Sequence, residues 1–210
     1  MVREDPRVVK VAGMASRLVR GTAIGCGVAA VAGAGFGFAV GQPVEPEDIV
    51  AARSMPTDLC ARIGDVAGLL PKASSGQKQV TMVQGGKTAI TCEAGSSRAK
   101  VEAYTAAGVK VTVTPYGGRD AGAGNKPLTP EQMAKKTLTR SPWKSLQGRP
   151  YATKTSRSAT GQAGESWTVH ALVQRADIVV QVDYTANPID ADTAEKAALV
   201  LADRAIWASK

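Results

Sequence analysis

The chain has 210 residues, a formal charge of +8, 44% hydrophobic residues and only 4% aromatics. That much apolar content excludes a disordered chain by composition. The first forty or so residues read differently from the rest, and the remaining ~165 suffice for one domain and are too few for two.

The N-terminal stretch comes first. Gly21 to Val44 carries no charge, and about twenty such residues span ~30 Å of hydrocarbon as a helix. Arg3, Arg7, Lys10, Arg17 and Arg20 precede it, whereas Glu45, Glu47 and Asp48 follow. By the positive-inside tendency the N-terminus stays in the cytoplasm and the rest is exported. The expected organisation is a basic cytoplasmic N-terminus over 1–20, a transmembrane signal-anchor over 21–44, a linker over 45–55 and an extracytoplasmic domain over 56–210. Two rivals are a signal peptide cleaved near Ala39-Val40-Gly41 and lipid attachment at Cys26. Gly21, Gly25, Ala29 and Gly33 fall four apart, a face that permits close helix approach in a membrane.

The linker holds Pro43, Pro46 and acidic residues. Thr57 caps an expected helix running to about Leu70 and stopped by Pro71, with Leu59, Ile63, Val66 and Leu70 on one face. Val80–Val83 and Ala89–Glu93 read as strands joined at Gly85-Gly86. Val101–Tyr104 and Val109–Tyr116 read as further strand. Gly117–Lys126 is a glycine-rich surface loop. Thr129-Pro130-Glu131-Gln132 is a helix start with a capping box, the helix running to about Thr139.

Tyr151–Ser156 is an expected strand and Ser158–Gly164 a polar turn. Trp167–Gln174 and Ile178–Thr185 alternate around Arg175-Ala176-Asp177, the clearest hairpin of the chain. Asn187-Pro188 ends it, and Asp190 or Asp192 opens a last helix to about Trp207. Ala194, Ala198, Leu201 and Ala205, with Leu199 and Ile206 near them, form its packing face. Hairpins dominate and no strand–helix–strand unit repeats. The expected class is α+β, a two-layer domain with an antiparallel sheet and helices on one side.

Cys60 and Cys92 are an even pair in an exported domain, so a disulfide is the economical expectation, stapling the first helix to a strand; two buried thiols are the alternative. A metal site lacks ligands, since His170 is the single histidine.

Catalytic signals are missing. No Gly-x-Ser-x-Gly elbow accompanies His170, Asp190 and Asp192 suit helix capping, and the glycines near 117–124 lack a phosphate-loop spacing. No catalytic residue and no cofactor are expected. Charge offers the functional hint. Residues 98–157 hold twelve basic and three acidic residues. Lys126, Lys135, Lys136, Arg140, Lys144, Arg149, Lys154 and Arg157 form a candidate contact for anionic lipid or an anionic wall polymer; a merely solubilising face is the alternative. Aromatics do not interleave these charges, which speaks against nucleic acid.

Pro56-Thr57-Asp58-Leu59-Cys60, Leu69-Leu70-Pro71, Thr91-Cys92, the late hairpin and the Ala-rich last helix together resemble the two-cysteine extracytoplasmic domains of actinobacterial cell-envelope proteins, often lipoproteins. The resemblance covers about residues 55–208. It implies an envelope location and a Cys60–Cys92 bridge and carries no chemistry; the family's usual lipobox is not matched here. The expected role is a membrane-anchored binding or accessory module of the envelope, not an enzyme, with its protein partner unspecified. An exported hydrolase-like enzyme and a structural subunit of a membrane complex are the alternatives.

Overall fold

The computed structural model describes residues 44–70, 77–84, 87–95, 106–120, 126–160 and 166–210. The span expected over 21–44 (save Val44), Cys26, the Gly85-Gly86 turn and the strand at 101–104 lie outside the described residues. So do parts of the loops at 117–126 and 158–164. Among the described residues no helix is long and apolar enough to cross a membrane.

Residues Val44–Lys210 form one compact unit. In chain order its elements are a 3-10 turn Pro46–Asp48, α1 (Leu59–Ile63), a 3-10 turn Ala67–Leu69, β1 (Lys78–Gln84), β2 (Lys87–Gly95) and β3 (Ala106–Pro115). Then come α2 (Pro130–Arg140), β4 (Lys144–Leu146), β5 (Ala152–Ala159), β6 (Trp167–Arg175), β7 (Ile178–Asn187) and α3 (Ala191–Ala208). The strands make a seven-stranded antiparallel sheet in the order β1-β2-β3-β7-β6-β5-β4. Two meanders, β1–β3 and β4–β7, thus join where β3 meets β7, so α+β holds.

Period-two alternation explains the sheet. In β3, Ala107, Val109, Val111 and Val113 are buried while their neighbours are not. In β7, Ile178, Val180, Val182, Tyr184 and Ala186 point the same way. These side chains meet the inner face of α3, where Ala194, Ala198, Leu201, Ala202, Ala205 and Ile206 are buried. The alanines let α3 lie close to the sheet. Asp190 caps it, accepting from the Thr193 N–H at 2.9 Å, and hydrogen bonds from Thr193 hold this carboxyl below the ordinary aspartate range. Asp192 is not the cap; it pairs with Arg157.

The expected first helix breaks. Gly64 sits at φ 84°, ending α1 after five residues. Its expected inner face survives all the same: Leu59, Ile63, Val66 and Leu70 are buried, because the 3-10 turn at 67–69 keeps the last two against the core. Helix α2 begins as expected, with both bonds of the Thr129–Gln132 capping box present. Strand β4 was not anticipated; three residues at a sheet edge carry too little pattern to read.

Helices do not all lie on one side. Helix α2 packs through Ala134 and Leu138 on Leu172 and Val179. These two point away from α3, being out of phase with Val173 and Val180. The expected one-sided arrangement is therefore corrected to α1 and α3 on one face and α2 on the other. The reason is legible in β6 and β7: each places one large apolar residue on the second face near their shared turn, and that pair needs cover.

Cys60 and Cys92 are joined, their Cα atoms 5.5 Å apart and 32 residues apart in sequence. The bridge ties α1 to β2, and both cysteines are buried. Closing a loop of this length stabilises by about 3–4 kcal/mol in the chain-entropy model. Cys60→Ala/Cys92→Ala should therefore lower the unfolding free energy by about that amount in a urea titration. The native bridge should resist reductant until denaturant exposes it.

Tyr184 is fully buried, and its hydroxyl donates to the Leu69 carbonyl at 2.8 Å. Burial raises its pKa above the ordinary tyrosine value. A proton acid whose folded pKa is raised contributes stability that is complete below the unfolded value of about 10 and is lost as pH climbs through the folded value. Tyr184→Phe should cost about 1 kcal/mol at neutral pH and flatten the loss of thermal stability above about pH 10; an unchanged alkaline limb would assign that limb to other groups.

Candidate binding face

Among the described residues, α2 covers the second face of the sheet near the β6–β7 turn, and Thr91 on that face is buried as well. Beyond α2, the strand registers set side chains of opposite charge next to each other. Lys78 pairs with Glu93, Glu93 with Lys110, Lys110 with Asp183, Asp183 with His170, and His170 with Ser156. One transverse row thus crosses six strands on one face.

Lys110 Nζ lies 3.5 Å from Glu93 Oε1. His170 Nδ1–H donates to Asp183 Oδ1 at 2.7 Å, and Gln181 Nε2–H donates to both Asp183 oxygens at 3.1 Å. The Trp143 ring stacks on the His170 ring, with centroids 5.3 Å apart and planes 19° apart. In the neutral ring this leaves Nε2 as the acceptor. Beside the row, Gly95 pairs with Gly108 and Gly108 with Thr185, and a Cβ added at Gly108 would meet nothing within 4 Å. Two adjacent glycines lower the sheet surface there. The result is a shallow trough of about 530 Å³ lined by Lys78, Glu93, Gly95, Gly108, Lys110, Asp183 and Thr185.

The row adds little to stability. Lys110 and Glu93 are each 44% exposed, and such pairs contribute ~0–1 kcal/mol. An apolar residue at any of these positions, sheltered by a larger helix, would stabilise the fold more.

The eight expected cationic contact residues divide in two. Arg149 bonds Asp203 at 2.6 Å, Arg157 bonds Asp192 at 2.8 Å and lies 3.5 Å from Glu195, and Lys154 donates to the Thr139 carbonyl at 3.3 Å and to that of Ser141. These three are structural. The first two tie the β5 side of the sheet to α3, and Lys154 places its charge on the carbonyl end of α2. The other five, Lys126, Lys135, Lys136, Arg140 and Lys144, are exposed and make no ion pair among the described residues. Lys135, Lys136 and Arg140 form the outer ridge of α2, opposite Ala134 and Leu138.

Sequence reasoning did not assemble Ser156, His170 and Asp183. The signal was present: β6 and β7 join through a two-residue turn, Arg175 pairing with Ile178, and that register alone sets His170 against Asp183. The turn was read as three residues, which leaves the register open. The Gly117-Gly118 pair is more than the plain surface loop its sequence suggests. It is where residues 49–52 cross the end of β3: Gly118 N–H donates to the Val50 carbonyl at 2.7 Å, and a Cβ at Gly118 would lie 2.8 Å from Ile49 Cα.

Among the described residues no group of three or more His, Cys, Asp or Glu could hold a metal ion. No protein-family model, curated protein or solved structure matches the chain.

Proposed function

We propose that the chain is a cell-envelope protein tethered to a membrane by residues 21–44, its outer domain a binding or accessory module whose contact side is the side of the sheet that carries α2. The observation behind this is the division among the basic residues. Three are spent on the fold, whereas Lys126, Lys135, Lys136 and Arg140 sit exposed on and around α2 without an acidic partner among the described residues; Lys144, paired with Thr155, belongs to the other face. A cationic ridge of this kind suits an anionic wall polymer or anionic lipid. The buried Cys60–Cys92 disulfide supports an oxidising compartment, as does the likeness to two-cysteine envelope domains.

Polyphosphate serves as a soluble probe. The full chain in detergent micelles should bind it with an affinity that falls as salt rises. Lys135→Glu/Lys136→Glu/Arg140→Glu should weaken binding roughly tenfold, at about 0.5 kcal/mol per exposed charge. Binding that ignores both salt and the triple substitution would overturn the reading.

A second reading, an exported hydrolase, has one observation in its favour. Ser156, His170 and Asp183 are cross-strand neighbours, and Asp183 orients the imidazole as a general base requires. Against it, among the described residues no hydrogen bond joins Ser156 to His170. A fluorophosphonate probe decides: labelling of the native chain that is lost in Ser156→Ala and His170→Ala supports an enzyme, and no labelling removes it.

A further inference from the structure

One pole of the domain gathers features that the contact side does not use. The β6–β7 turn lies there, and Asp177 of that turn accepts from Arg53, through Nε at 2.8 Å and through Nη2. Asp177 also accepts from the Tyr116 N–H at 2.8 Å, and Gly118 holds Val50 beside it. The chain segment 49–53 therefore crosses this same pole on its way into the domain.

Arg175, on the other side of the turn, reaches over Tyr151 and Trp207, its Cζ 5.4 Å and 5.5 Å from the two ring centroids. Lys210 Nζ lies 3.3 Å from the Trp207 centroid. Trp207 is nevertheless 56% exposed, Val200 two helical turns before it 41%, and Val50 55%. A groove of about 570 Å³ runs between α1 and α3, lined by Arg62, Ile63, Val200, Asp203, Arg204 and Trp207, with Ala208 at its end.

Three of the acidic groups nearby are matched, and the fourth, Asp65, lies against Arg204, whose Nη1 donates to the Asp65 carbonyl at 3.4 Å. Asp58 bonds Arg62 at 2.8 Å, Asp203 bonds Arg149 and Asp177 bonds Arg53. Arg175 and Lys210 remain as excess positive charge around an exposed indole.

We propose that this pole rests on an anionic bilayer surface, with Trp207 at headgroup depth and Arg175 and Lys210 facing lipid phosphates. An indole with an apolar body and a polar edge favours that depth, basic side chains beside it are drawn to anionic headgroups, and long cationic stems reach the phosphates while covering apolar surface. Charge complementarity selects lipid as the occupant. The inference rests on the tether proposed above. The α2 ridge and the trough stay free for another ligand.

The test uses the full chain reconstituted into vesicles of phosphatidylcholine alone or mixed with phosphatidylglycerol, with lipids brominated at the headgroup end of their acyl chains as quenchers. Flotation is read first, then tryptophan fluorescence of the native chain and of Trp207→Phe. The expected result is flotation of both proteins, with quenching in the phosphatidylglycerol vesicles that is lost in Trp207→Phe and reduced in Lys210→Glu. Flotation with equal quenching of native chain and Trp207→Phe overturns this inference and leaves the tether standing. A chain that does not float overturns the tether and the docked pole together.

Discussion

The pairing of β3 with β7 is the constraint on which this domain depends. Each strand ends one meander, and ten consecutive residue pairs from Ala106–Asn187 to Pro115–Ile178 join them. Neither meander has a complete core alone. Three strands stapled to α1, or four strands under α3, would each leave a strand edge of backbone donors and acceptors and a row of valines in water. Joined, Val109, Val111 and Val113 lie beside Val180, Val182 and Tyr184, and one helix roofs them all. The same ladder that buries the valines sets Lys110 against Asp183. The charged row on the far face is thus a geometric consequence of the core, not a separate construction.

The two faces of the sheet do different work. The α3 face is fully apolar at its centre, and its polar margin is closed by specific pairs. Thr155 donates to Glu195 at 2.8 Å, Arg157 reaches Asp192 and Glu195, and Arg149 holds Asp203. The α2 face is apolar under α2, at Leu172 and Val179, and along the β1–β2 edge, at Val80, Met82 and Ala89. Elsewhere it shows paired hydroxyls, Thr168 with Thr185 at 3.0 Å and Thr91 with Thr112 at 3.2 Å, and the alternating charges. A face that buries little and still holds its side chains in register is suited to recognition, because its groups are pre-ordered by the ladder beneath them. The conserved quantity is orientation, and the energy that supplies it comes from the opposite face.

The ends of the sheet differ as well. At the β6–β7 turn the segment 49–53 crosses glycines that leave no room for a Cβ, an arginine grips the turn aspartate, and an indole projects from the end of α3. Ala176 takes a positive φ of 48°, which shortens that turn to two residues and brings Arg175 and Asp177 out to opposite neighbours. Towards the other end the sheet opens into the glycine-floored trough.

Much of this was readable in the residues alone, and for a local reason. The β6–β7 hairpin, the capped starts of α2 and α3, the inner face of α3 and the buried set Leu59, Ile63, Val66 and Leu70 all follow from alternation, helical spacing and capping chemistry, which act within a few residues. The Cys60–Cys92 pairing was an expectation from parity in a domain expected to be exported, and the bridge is present. What the residues alone did not decide depends on contacts far apart in the chain. The join of β3 to β7, the placing of α2 on the opposite face, the row from Lys78 to Ser156, and the sorting of eight basic residues into three that hold the fold and five that face solvent are all of this kind. Each is set by strand register between distant segments. A shift of one residue would turn every side chain to the other face, and only the packed core selects among those registers.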